Sequence, residues 1–218
     1  MKHSSIYGAA LIAGSVGMVV TMMFHPTGHD LLAQPDDIAR RNEMITVATH
    51  SLALVSIPIL LLGFQGLSRR LGGDSPLVAA ALIAYAFGAV AAMCAAIING
   101  MVAPVLTRQM LTADESARQL LHTILTSNGL LNQAFTKVFV VASSFAMISW
   151  SACILKGGRL AKSIGVIGCV VGFAGLVGLL SGHLRLNVHG FGLLIFGQSV
   201  WTILVGVLLA RSDSLQTA

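Results

Sequence analysis

Apolar residues in this chain do not alternate with polar ones at the period of a strand. They run on in long blocks separated by short polar connections. A helix rising 1.5 Å per residue needs roughly 20 such residues to cross the hydrocarbon layer of a bilayer. Six blocks are long enough: Ile6–Phe24, Met44–Leu67, Leu77–Val102, Leu130–Leu155, Ile164–Leu184 and Val188–Ala210. None has the dyad alternation of a membrane barrel wall. The pattern predicts an all-α fold, a polytopic membrane helical bundle of six transmembrane helices forming one integral membrane domain over 1–218. The first block is longer than a signal-peptide core, and no small-x-small cleavage site follows it, so it is expected to remain as a span.

The connections carry further signals. Pro35 before Asp36 and Asp37 marks a helix start, and Asp36/Arg40 and Asp37/Arg41 are spaced as four-apart ion pairs. Thr112 to Glu115 has the spacing of a capping box. The residues behind it place Ala117, Leu120, Leu121, Ile124 and Leu125 on one stripe, which predicts a short interfacial helix between helices 3 and 4. Pro58 is expected to kink the second span without ending it.

Composition agrees with the pattern. The chain is 56% hydrophobic and only 10% charged, whereas a soluble domain carries about 25% charged residues. The net charge of +5 is spread over loops, with no dense basic cluster for nucleic acid. Lys2, Arg69, Arg70, Lys156, Arg159, Lys162 and Arg211 fall at one membrane face and outnumber Arg40, Arg41, Arg108, Arg118 and Arg185 at the other. The bias places both termini in the cytoplasm of a bacterial-type plasma (inner) membrane. Cys94, Cys153 and Cys169 sit singly in apolar runs and form no disulfide or zinc pattern.

Small residues recur on helix faces. Gly165, Gly168, Gly172, Gly175, Gly178 and Gly182 share a side of the fifth span, as do Ala81, Ala84, Gly88, Ala91 and Ala95 of the third and Ala10, Gly14 and Gly17 of the first. Such faces let helix backbones approach closely in lipid. They serve contacts within the bundle, with a partner membrane subunit or in a homo-oligomer, and a flat cofactor edge is the other use for them.

Candidate chemistry gathers at one membrane face. His25, His29, His50, His183 and His189 all fall near the outer ends of spans, with Asp30 beside His29. Imidazole is the commonest metal ligand, so these residues are candidate ligands for copper, zinc or iron, or for haem. Asn99, Asn128, Asn132 and Thr136 define a polar pocket at the same level, while the inner halves of the spans read as almost wholly apolar. Eleven residues make close to three turns, which puts His25 on the face of Gly14, Asn99 on that of Gly88 and His183 on that of Gly172. Gln198 lies opposite His189 on the last span and departs from the pattern.

Three functions remain open: an outward-facing histidine site for redox chemistry or metal handling, a non-catalytic structural or accessory subunit, and a small-molecule carrier with its pocket in the outer half. The sequence contains no phosphate-binding, dinucleotide-binding or HExxH motif, and no acidic residue lies in the six predicted cores. Ser143, Ser144 and Ser149 have no histidine near them in sequence, against a serine hydrolase.

Overall fold

A computed structural model describes residues 3–25, 36–157 and 160–212. His29 and Asp30 lie outside these residues, as do the side chains of 36–40, so their expected roles have no structural counterpart here. Among the described residues all regular structure is helical. The elements are α1 His3–Met23, α2 Asp36–Gly72, α3 Pro76–Ile97, a π-helical turn Ile98–Val102, α4 Ala103–Thr112, α5 Glu115–Gly157, α6 Lys162–Leu180 and α7 Val188–Ser212. Among the described residues six helices are long and apolar enough to cross a bilayer, the third being α3 together with the π turn and α4.

Local chemistry sets several of the ends. Pro76 opens α3 after an extended Ser75, its fixed φ already helical. α2 runs unbroken through Pro58. α6 stops where Gly182 adopts a φ of 76°, the left-handed conformation that closes a helix.

α1 packs between α2 and α7, and α5 packs against α3 and α6. Glycines bring these pairs together: Gly8 meets the backbone of Gly206 and Ala210, Gly14 and Gly17 meet Leu60 and Ser56, and Gly88 meets Ala142. On α6, Gly168 lies against Ser151 and Trp201, and Gly172 against Ile148 and the Ser144 carbonyl. Neighbouring side chains therefore fill these faces, the packing use that small residues have in lipid. Between them sits an aromatic core. Phe64 stacks on Trp150 at 4.6 Å between ring centroids and tilts against Tyr85 at 4.3 Å. The Trp150 indole donates to Ser68 Oγ at 3.0 Å, and that of Trp201 to the Ile164 carbonyl at 3.0 Å, so neither buried N–H is orphaned.

The structure departs from the sequence reading in three places. The residues expected to form a separate interfacial helix are the first turns of α5, one helix of 43 residues. Gly129 is the only strong breaker there, and a single glycine costs a helix about 1 kcal/mol, too little to end it. The helix cap is Asp114 and not Thr112: Asp114 Oδ1 accepts from the Ala117 N–H at 2.8 Å and from the Ser116 hydroxyl at 2.9 Å. Those bonds, chiefly the one from Ala117, hold the exposed Asp114 carboxyl below its ordinary pKa.

Finally, the bundle centre is not wholly apolar, since Ser15, Ser143, Ser144, Gln198, Ser199 and Thr202 are all buried in it. These hydroxyls read as part of apolar runs because serine and threonine carry no charge, and some bond back to their own helix, as Ser143 does to the Val140 carbonyl and Thr202 to the Gln198 carbonyl.

At 1.5 Å per residue α5 is about 65 Å long, twice the hydrocarbon thickness. Its first turns, α4 and the start of α2 form a collar at the histidine end, where Arg108 of α4 pairs with Glu43 of α2.

Candidate functional site

Inside the collar the helices part around a cavity of about 270 Å³. His50 enters it from α2, and three constraints hold the ring. Its Nδ1 lies 2.8 Å from the Thr46 carbonyl one turn earlier. A carbonyl only accepts, so Nδ1 carries the hydrogen, and in the neutral ring Nε2 keeps its lone pair for another partner. Gly100 in the π turn presses on the His50 Cβ, leaving no room for a side chain of its own. The third constraint is the His25 ring, 4.9 Å away between centroids and tilted by 58°.

The π turn itself shapes the site. One extra residue in a helical turn re-aims the side chains around it, a device common at functional positions. Asn99, the second residue of this turn, stands on the cavity wall. Asn132 and Thr136, one turn apart on α5, line the wall too, and Thr136 spends its hydroxyl hydrogen on the Asn132 carbonyl at 2.8 Å. The apolar wall comes from Met18, Met22, Ile57 and Phe139 and from the methyls of Ala92, Ala95 and Ala96. Among the described residues no Asp, Glu, Lys or Arg lines the cavity.

The structure thus brings together His25, His50, Asn99, Asn132 and Thr136, and separates others. Asn128 lies one turn earlier on α5 than Asn132 and is not on the wall. His189 is exposed and lines a neighbouring cavity of about 350 Å³ between α1 and α7, on whose wall His25 also stands. His183 is exposed, with Nδ1 2.9 Å from Ser181 Oγ, and lines neither space. The eleven-residue rule failed for His183 because α6 ends at Leu180 and the left-handed Gly182 breaks the helical phase. It held for His25, which lies two residues past α1 with its N–H still turned to the Met22 carbonyl. Gln198 is the converse case: opposite the exposed His189, it points inward and donates to Ser143 Oγ at 3.0 Å.

Sequence reasoning missed Asn187, Thr21 and both methionines. Asn187 lines the cavity from the loop before α7, and its Oδ1 accepts from the Gly190 N–H at 2.9 Å, starting that helix. The signal was present, since asparagine three residues before a glycine at a span boundary is an N-cap pattern. Nothing in the sequence singled out the methionines.

Two metal chemistries can be compared with these residues. A bis-histidine haem places its rings on opposite sides of the iron, with centroids about 6 Å apart. His25 and His50 are closer than that and tilted together, and of the α6 glycines expected to admit a porphyrin edge Gly168 and Gly172 are covered by Ser151, Trp201 and Ile148. Haem does not fit this pair. Among the described residues no three His, Cys, Asp or Glu side chains gather as a metal-binding group, but His25 and His50 share a wall with the thioethers of Met18 and Met22.

Fold and cavity together define a multi-pass helical membrane protein with a semi-polar cavity opening at one end of its bundle. No family model, curated protein or solved structure matches this chain.

Proposed function

We propose that the chain is a small-molecule carrier or receptor of the plasma (inner) membrane that takes a neutral, amphipathic guest into its histidine-end cavity from the extracytoplasmic side. The observation that carries this reading is the cavity itself: about 270 Å³, apolar over most of its wall, with two imidazoles and two span carboxamides on that wall and no formal charge among its described lining residues. Pockets that hold small organic ligands are built in this way, from an apolar body and a few placed polar groups. The guest's apolar part lies along Met18, Ile57 and Phe139, and its polar end meets His50, Asn99 and Asn132. The bare Nε2 of His50 accepts from a guest hydroxyl or amide N–H. The orientation, with both termini cytoplasmic, rests on the loop charges.

The test is direct. Full-length protein is purified in lipid nanodiscs and its bound small molecules are extracted and identified by mass spectrometry. A molecule recovered with the wild type and lost from a folded His50→Gln variant is the expected result. Equal recovery from both would sink the proposal.

A second reading, a metal site, is favoured by one specific observation: the His50 Nδ1 bond to a backbone carbonyl, which is how protein ligands are oriented toward metals. With thioethers and neutral imidazoles on the wall and no carboxylate among the described lining residues, monovalent copper suits the set better than zinc or iron. Stoichiometric copper in wild type, absent from His50→Gln, would establish it. The accessory-subunit reading drew on open small-residue faces, and those of Gly8, Gly14, Gly17, Gly88, Gly168 and Gly172 are occupied within the chain.

A further inference from the structure

Below the cavity, toward the Lys/Arg end, lies a second and much smaller space of about 30 Å³. Met18, Ile57 and Phe139 belong to the walls of both, so they form the neck between them. Ser15, on this chamber's wall, is ten residues before His25, which puts it about 15 Å further along α1, near the middle of that span.

The chamber wall is chiefly apolar, but it carries the hydroxyls of Ser15, Ser143, Ser199 and Thr202 at a depth where a membrane protein core is usually dry. Ser15 is 1% exposed, and its Oγ has no hydrogen-bond partner. Ser143 and Thr202 stand on the same wall with their hydroxyl hydrogens already spent, on the Val140 carbonyl at 3.3 Å and the Gln198 carbonyl at 2.8 Å. The Thr202 oxygen can still accept, and that of Ser143, which already accepts from Gln198 Nε2, has one acceptor position left. Ser15 therefore has a hydrogen to give, and the groups across the chamber have lone pairs to fill.

We propose that this chamber is a water site fed from the histidine-end cavity, so that solvent reaches mid-membrane along the axis of the bundle. Water is the occupant that satisfies both sides, accepting from Ser15 and donating to Ser143 and Thr202. The space is sufficient, since one water needs only about 10–15 Å³ of such volume and two to four polar partners. A dehydrated cation fits worse, because no carboxylate is among the described residues of the wall to compensate it. Met18, flexible about three bonds, is the element of the neck best able to let water pass. The inference does not depend on what the larger cavity binds.

The test is X-ray radiolytic footprinting of the full chain in nanodiscs, in which hydroxyl radicals form from water where it sits and oxidise adjacent side chains. Tyr85 and Trp150 line the chamber and are buried, whereas Leu67 is buried outside it. The expected result is oxidation of Tyr85 and Trp150 without oxidation of Leu67, reduced several-fold in Ser15→Ala, whose melting temperature is no higher than wild type. An unlabelled Tyr85 and Trp150, with a Ser15→Ala variant more stable than wild type, would mean a dry chamber. Labelling of Leu67 to the same extent would mean general opening of the bundle. Either result overturns the proposal.

Discussion

At the Lys/Arg end, Gly168 draws α6 so close that Ser151 and Trp201 fill the space a side chain would take. At the histidine end, Ala92, Ala95 and Ala96 on α3 face a cavity instead of a neighbouring helix. Small residues thus do opposite things in the two halves of one bundle. In the first they close a gap between backbones, and in the second they leave one open. What decides is the partner across the interface: bulky indole and aliphatic groups on one side, and imidazole and carboxamide groups held back by their own helices on the other. A stripe of small residues therefore says that something approaches closely, without saying whether it is protein or guest.

The sharpest way to break this comparison is to enlarge one residue in each half. Gly168→Leu forces a branched side chain into Ser151 and Trp201, and overpacking of this kind costs about 3 kcal/mol or more. It should lower the melting temperature strongly or prevent recovery of monodisperse protein. Ala92→Leu projects into the cavity and should melt within about 1 kcal/mol of wild type while excluding the co-purifying guest. If the two variants proved equally damaging, the distinction between a filled and a hollow half would be lost.

Gly100→Ala tests the border between the halves. The added methyl meets the His50 Cβ, so a cost of about 1–3 kcal/mol is expected, with guest retention lost as His50 is displaced. His50→Gln should cost about 1 kcal/mol for the bond to Thr46 and abolish retention in thermally intact protein. A glutamine variant that retained the guest as well as the wild type does would overturn the carrier reading.

The collar carries the smallest effects. The Asp114 carboxyl is held below its ordinary pKa, so its cap on α5 is complete above that ordinary value and is lost as pH falls through the lowered one. Amide exchange at Ala117, corrected for its intrinsic pH dependence, should accelerate over that acidic window. Asp114→Asn, which keeps an acceptor oxygen, should abolish the pH dependence. The Glu43–Arg108 pair is exposed on the arginine side, so Glu43→Gln should change stability by less than about 1 kcal/mol, with the difference vanishing at high salt.

The six spans were legible in the sequence because the demand that lipid makes is one of length and composition, both of which a sequence displays directly. Part of the site was legible for a related reason. His25, Asn99, Asn132 and Thr136 continue faces whose helical phase runs on, and counting in turns finds them. His183 was misplaced because the left-handed Gly182 interrupts that count, and Gln198 because the buried side of α7 was judged from His189. The collar was hidden, since an amphipathic stripe looks the same whether its helix lies on a membrane or rises out of it. The methionines and the serine-lined chamber were hidden because their residue types are ordinary in an apolar run. Only the distance to a neighbour gives them a role.

The π turn at Ile98–Val102 carries a consequence for how this chain tolerates insertion and deletion. It is one residue of surplus contour absorbed within a continuous rod. Removing one residue from that stretch would restore ordinary winding and leave α4 close to its present phase, because the wide turn already takes up the surplus. The spacing of Asn99 and of the glycine beneath His50 would change, while Arg108 would still face Glu43. A second deletion would find no surplus and would rotate everything beyond it by about 100° relative to α3. The span can therefore lose one residue, and not two, before the collar is turned away from the cavity.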